Sequence, residues 1–130
     1  MIMQEGSADF ILLIAVYVVM LLLGLPLVFK KVKPNLFYGF RVRATVENPD
    51  LWYKYNRLAG IGMLAIFTPT LGCLIYAFIL AQQKDVMAPV LVNRSLWIST
   101  VLLLVFMLMT IVRVNREAKE LKLARSDKRS

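Results

Sequence analysis

The chain has 130 residues, 59% of them hydrophobic and 18% charged, with a net charge of +8 at pH 7. It contains no histidine and a single cysteine, Cys73. This removes the usual general base near neutral pH, the commonest metal ligand and any internal disulfide.

Phe10 to Phe29 carries no charged residue. A helix rises about 1.5 Å per residue, so roughly 20 apolar residues cross a hydrocarbon core of about 30 Å. A first transmembrane span is therefore predicted over 10–29. The pattern is not that of a cleaved signal peptide: the nine residues before it hold Glu5 and Asp9 and no base. Lys30-Lys31 follows where a small-residue cleavage site would stand, so the span is expected to be retained.

Lys30 to Arg57 is a basic loop, with seven Lys/Arg against Glu47 and Asp50. Pro34-Asn35 and Tyr38-Gly39 punctuate its first half, which is predicted to be irregular. Asn48-Pro49-Asp50 predicts a helix start, with Asn as cap, Pro in the first position and Asp facing the positive end of the dipole. That helix is expected to pass through Trp52, Tyr55 and Asn56 into a second span over 58–81, with both rings at interface depth. Pro69, flanked by Thr68 and Thr70, frees the carbonyl of Ala65, which the threonine hydroxyls or a neighbouring helix can re-satisfy; a kink is expected there, with a gating hinge as the alternative. Ala65, Pro69, Cys73, Ala77 and Ala81 recur at every fourth position and predict a face on which another backbone packs closely. Ser95 and Ser99 have the same offset in the third span and are candidates to meet it.

Ser95 to Val112 is uncharged but short by a turn, so the third span is predicted over 90–112, with Asn93 and Arg94 at headgroup level. The tail, 113–130, holds seven more bases. Arg113/Glu117 and Arg116/Glu120 continue the helix at four-residue spacing before it frays from Ser126. The expected fold is all-α: one membrane domain over 1–130, an integral bundle with three transmembrane helices. Cytoplasmic segments collect Lys and Arg, and three spans put the loop 30–57 and the tail on one side. The predicted topology is thus multi-pass, with the N-terminus out and the C-terminus in. The positive charge is read as this topology signal and not as nucleic-acid binding.

None of the three uncharged stretches holds a group able to relay protons or couple ions, which counts against a pump or carrier acting alone. Glu47 and Asp50 are read as partners of Arg43 or Lys54 and as support for the helix start, not as a catalytic pair. No catalytic residue, metal ligand or cofactor is assigned. What remains is binding. Arg41, Arg43, Lys54 and Arg57, interleaved with Phe37, Tyr38, Phe40, Trp52, Tyr53 and Tyr55, make a cationic and aromatic surface. Anionic headgroups of the bilayer attract such segments by about 1 kcal/mol per base, and Lys30, Lys31 and Lys33 are read as anchors of this kind. Arg41 differs, because Gly39 just before it allows a tight backbone that aims the guanidinium, a fork able to grip carboxylate or phosphate. Two other readings stay open: a subunit of a larger membrane complex docked through the small-residue face, and a lipid-modifying or lipid-carrying protein whose Arg–Tyr–Trp cluster grips a headgroup phosphate.

The residues Pro34-Asn35-x-x-Tyr38-Gly39-x-Arg41-x-x-x-Thr45, followed by Trp52-x-x-x-Asn56-Arg57-x-x-Gly60, resemble the signature of the SdpI/YfhL family of small integral membrane proteins. The resemblance runs from about Leu22 to Leu80. It departs from the family pattern at Val42 and Arg43, where Thr and Pro or Lys are frequent, and at Asn56, where His is common. The resemblance implies a non-enzymatic role in immunity or signalling against a membrane-active toxin peptide, in the plasma membrane of a prokaryote. It implies a toxin peptide and a cytoplasmic repressor protein as partners. It also implies Asn35, Tyr38, Gly39, Arg41, Thr45, Trp52, Asn56 and Arg57 as binding residues.

Overall fold

The computed structural model describes residues 2–35 and 37–127, with side chains from Ala8 onward. The described residues form four helices: α1 (Ile2–Val28), α2 (Arg43–Val46), α3 (Pro49–Gln82) and α4 (Met87–Asp127). The protein is an all-α integral membrane bundle in which α1, α3 and α4 are long and apolar enough to cross a bilayer. Each runs past its apolar stretch. The 34 residues of α3 and the 41 of α4 reach about 50 and 60 Å at about 1.5 Å per residue, well beyond a hydrocarbon core of about 30 Å.

α3 is the central helix, with α1 and α4 packed against it. α1 and α4 are tied to each other by a hydrogen bond between the Tyr17 hydroxyl and Ser99 Oγ at 3.1 Å. The Tyr17 ring also stands edge-on to Phe67 of α3 at 5.3 Å, and Phe10 meets Phe78 at 5.9 Å. Leu74 and Ala77 are fully covered, while Ile11, Leu12, Leu22, Ile79, Trp97 and Leu108 face outward, as lipid contact requires.

Glycines set the closest helix approaches. At Gly60 an added Cβ would lie 2.8 Å from the Gly24 carbonyl oxygen and 2.9 Å from both the backbone nitrogen and Cγ2 of Val28. At Gly62 it would meet the Phe106 ring. The row of small residues on α3 behaves differently from its sequence expectation. Ala77 is buried, Cys73 and Ala81 are half-buried, and Ala65 and Pro69 face outward. Ser99 is buried against Tyr17 of α1.

The hydroxyls inside the bundle satisfy themselves on their own helices: Thr70 donates to the Ile66 carbonyl at 2.8 Å and Thr110 to that of Phe106 at 2.7 Å. Thr70 thus serves the carbonyl next to the one that Pro69 frees, and α3 continues as helix through Pro69. Among the described residues no buried side-chain nitrogen or oxygen is without a hydrogen-bond partner.

Two helix ends close in the same way. Lys30 (φ 56) and Lys84 (φ 59) occupy the left-handed region. Lys31 N–H reaches back to the Pro26 carbonyl at 3.0 Å, and Asp85 N–H to that of Leu80 at 3.1 Å. Each is a Schellman turn with lysine where glycine is the usual residue. The Asp85 carboxylate then accepts from Met87 N–H at 2.8 Å and starts α4.

Replacing Gly60 by Ala inserts a methyl into backbone that cannot give way, and should cost about 1–3 kcal/mol. Gly72, with nothing within 4 Å of a Cβ, should gain about 0.5–1 kcal/mol on the same change. Unfolding in mixed micelles, followed by far-ultraviolet circular dichroism, measures both. A Gly60→Ala variant as stable as the parent would contradict the close α1–α3 contact.

Candidate functional site

The basic loop is folded onto the end of the bundle by the polar residues that its sequence spaces most regularly. Leaving the turn at Lys30, the chain reaches Val32, whose carbonyl accepts from Trp52 Nε1 at 2.9 Å. Trp52 is completely buried, so the indole both fills the space under the loop and satisfies its own donor. Next, Asn35 closes a side-chain turn: Oδ1 accepts from the N–H groups of Phe37 and Tyr38, each at 2.8 Å, and Nδ2 donates to the Lys33 carbonyl at 2.9 Å. That turn sends the Tyr38 hydroxyl to the Leu23 carbonyl of α1. Partial burial pushes the Tyr38 phenol up from its ordinary pKa, so it remains a donor at neutral pH.

Gly39 follows with φ +110, a backbone conformation that side-chain-bearing residues rarely adopt. Its bare α-carbon faces Asn56, and a Cβ there would run into the Asn56 amide. Asn56 is itself buried, and its amide grips the next peptide. Oδ1 accepts from Phe40 N–H at 2.6 Å, while Nδ2 donates to the Trp52 carbonyl at 3.0 Å and lies 3.5 Å from the Phe40 carbonyl. Thr45, fully buried on α2, works from the other side. Its hydroxyl lies 3.0 Å from the Phe40 carbonyl and 2.9 Å from that of Val42, and accepts from Val42 N–H at 3.1 Å.

Asn48 then caps α3 as its sequence predicts, accepting from Asp50 N–H at 3.0 Å and Leu51 N–H at 3.4 Å. Beneath the loop, Leu51, Tyr55 and Val114 form a small apolar core with Phe40, Val42, Ala44, Leu58 and Ala118 packed around it. The projecting part of α4 is therefore one wall of the site. Lys54 pairs with Glu117 at 2.6 Å, and the Tyr55 hydroxyl donates to the same carboxylate at 2.9 Å.

Six of the eight residues singled out from the sequence, Asn35, Tyr38, Gly39, Thr45, Trp52 and Asn56, thus converge in one network of backbone contacts. Arg41 and Arg57 are exposed. Arg41 lies between two residues whose backbones are held: Phe40 by Asn56 and Thr45, and Val42 by Thr45. Its guanidinium is carried on a fixed stem. Glu47 pairs with Arg43 at 2.7 Å, and the hydrogen bond from that guanidinium holds the Glu47 carboxyl below the usual carboxylate range.

Sequence spacing had set Glu117 beside Arg113 on its own helix. The structure instead takes Glu117 across to Lys54 and Tyr55, while the Arg116–Glu120 pair does form, at 3.1 Å. Among the described residues several clefts open on the surface. One of about 460 Å³ lies between α2 and the tail of α4, lined by Arg43, Glu47, Lys119, Lys122 and Arg125. A second, of about 360 Å³, is lined by Lys30, Asp50, Tyr53, Lys54 and Arg57. A third, of about 550 Å³, is mostly apolar and lies at the opposite end of the bundle, near Phe10, Leu13, Lys84, Asp85, Val92 and Leu96.

The model of the family described as the SdpI/YfhL protein family matches residues 31–114, which takes in the loop, α3 and most of α4. No curated protein and no solved structure matches the chain.

Removing the Asn56 side chain by Asn56→Ala strands the Phe40 N–H and should cost about 1–3 kcal/mol. Gly39→Ala should also destabilise, through its φ and through its collision with Asn56. The collision disappears when Asn56 is shortened, so the double variant should lose less than the sum of the two. A double-mutant cycle by denaturant unfolding in micelles tests this; strict additivity would mean that Gly39 and Asn56 are not in contact.

Proposed function

Because the chain belongs to the SdpI/YfhL protein family, we propose that it acts in immunity or signalling against a membrane-active toxin peptide, by binding rather than by catalysis. The proposed setting is the plasma membrane of a prokaryote, with the basic end of the bundle in the cytoplasm, the side on which Lys and Arg collect. One observation carries the reading: the buried members of the motif pin the backbone on both sides of Arg41 and leave its side chain exposed. A guanidinium on a stem that does not have to be ordered again loses little entropy on gripping a carboxylate or phosphate.

The two ends then have different tasks. The mostly apolar cleft near Phe10, Leu13 and Leu96 faces the outside and offers apolar surface to an incoming peptide. The platform around Arg41, with the basic cleft of Lys119, Lys122 and Arg125 beside it, faces the cytoplasm and suits an acidic surface of a repressor protein.

A second reading, a subunit of a larger membrane complex, is favoured by Ala65 and Pro69, which face outward on α3 at four-residue spacing and let a foreign helix approach closely. A stoichiometric large partner recovered in mild detergent would support it.

Expression of the chain in a sensitive strain should raise the tolerated concentration of a membrane-active peptide secreted by the producing organism. Arg41→Ala should lower that tolerance by about tenfold or more while the protein still inserts, the factor expected for loss of one charged hydrogen-bonded contact. Asn56→Ala should lose tolerance together with the folded loop, seen as rapid proteolysis between Lys30 and Arg43. Full protection by an inserted Arg41→Ala protein would remove Arg41 from the mechanism.

A further inference from the structure

Arg57 is part of the family motif, yet it takes no part in the network that folds the loop. It lines the cleft of about 360 Å³ with Lys30, Asp50, Tyr53 and Lys54. The depth of this cleft follows from two independent features. Lys30 is the first charged residue after the uncharged stretch of α1, and Arg57 the last before that of α3. The two helices also touch at Gly24 and Gly60. From that crossing, Arg57 is three residues and Lys30 six residues toward the basic end, roughly 5 and 9 Å at about 1.5 Å per residue. The cleft therefore begins where hydrocarbon gives way to headgroups, a layer of about 5–8 Å on each side.

Its chemistry fits one ligand class at that depth. Lys30, Lys54 and Arg57 supply three cations, and half-buried Tyr53 adds a phenol. Lys54 is neutralised by Glu117 and Asp50 offsets one more charge, which leaves a net single positive charge to meet. A phosphodiester carries a single negative charge. The Asp50 carboxylate beside it is an acceptor for a headgroup hydroxyl. Basic pockets between transmembrane helices at this level hold lipid phosphates. We propose that the cleft between the end of α1 and the start of α3 is a binding site for the phosphodiester of an anionic glycerophospholipid, with Lys30 and Arg57 as its principal contacts. The site is a property of the folded membrane protein and does not depend on whether the chain confers immunity.

Lys30 allows an unusually clean test. Its φ of 56° is one that glycine adopts freely, so Lys30→Gly removes the ammonium while easing the turn. The protein, purified in non-ionic detergent, is titrated with phosphatidylglycerol and with phosphatidylethanolamine of the same acyl chains, and bound lipid is counted by native mass spectrometry. The parent should retain phosphatidylglycerol over phosphatidylethanolamine by about tenfold. Lys30→Gly/Arg57→Gln should bring the ratio close to one with helix content unchanged. Lys119→Gln/Lys122→Gln, in the other basic cleft, should leave the ratio as it was. Parity in the parent, or an unchanged preference in Lys30→Gly/Arg57→Gln, would overturn the site. Displacement of the lipid by millimolar inorganic phosphate would overturn the lipid assignment in favour of a soluble phosphate-bearing ligand.

Discussion

A buried amide holds the basic end of this protein together. Asn56, on the first turns of the central helix, takes the Phe40 N–H at 2.6 Å, and nearly every other feature of the loop follows from that grip. It requires a residue without a side chain at Gly39, because any Cβ there would occupy the space of the amide. With Phe40 fixed, Thr45 can reach the same peptide and start α2, and Trp52 can close the space under Val32. In a low-dielectric pocket such bonds are strong when complete and costly when broken. The loop therefore behaves as one unit rather than as a flexible connection.

The membrane-crossing part obeys a different constraint. Lipid is as apolar as the helices, so burial of apolar surface gives little reason for one helix to prefer another. Close fit takes over that role. Gly24 and Gly60 bring α1 and α3 together, and Gly62 receives the Phe106 ring of α4. The Tyr17–Ser99 hydrogen bond adds direction where packing alone is permissive. At the basic end water returns, and the ordinary rule with it: Leu51, Tyr55 and Val114 form a true apolar core.

The difference explains what was readable beforehand. Three uncharged stretches announced three helices, because a charge in hydrocarbon is expensive and its absence is conspicuous. The start of α3 was readable because Asn48, Pro49 and Asp50 act on their own neighbours. Helix ends were less so: α1 begins at Ile2 and α4 runs to Asp127, since hydropathy marks the membrane and not the last hydrogen bond. The inward face of α3 was hidden for a plainer reason. A helix that is apolar all round carries no stripe, so the row through Ala65 and Pro69 looked as suitable as the one through Gly60. Glu117 was hidden by distance along the chain, as its partners Lys54 and Tyr55 lie more than sixty residues away. The short α2 went unannounced, being a consequence of Thr45 and its tertiary contacts. The motif residues were recognised as a set, but their division into buried fasteners and exposed arginines could only come from three dimensions.

α4 runs without interruption from Met87 to Asp127, with no glycine or proline between its membrane portion and its charged tail. An unbroken helix is stiff, so any tilt of its membrane portion carries the tail beyond Arg113 with it. The fourteen residues of α4 beyond that point span about 21 Å, and a tilt of about 10° would move the far end by roughly 4 Å. Glu117, held by Lys54 and Tyr55, lies on this projecting part, so a tilt of α4 would be shared with the root of α3 at the same end of the bundle.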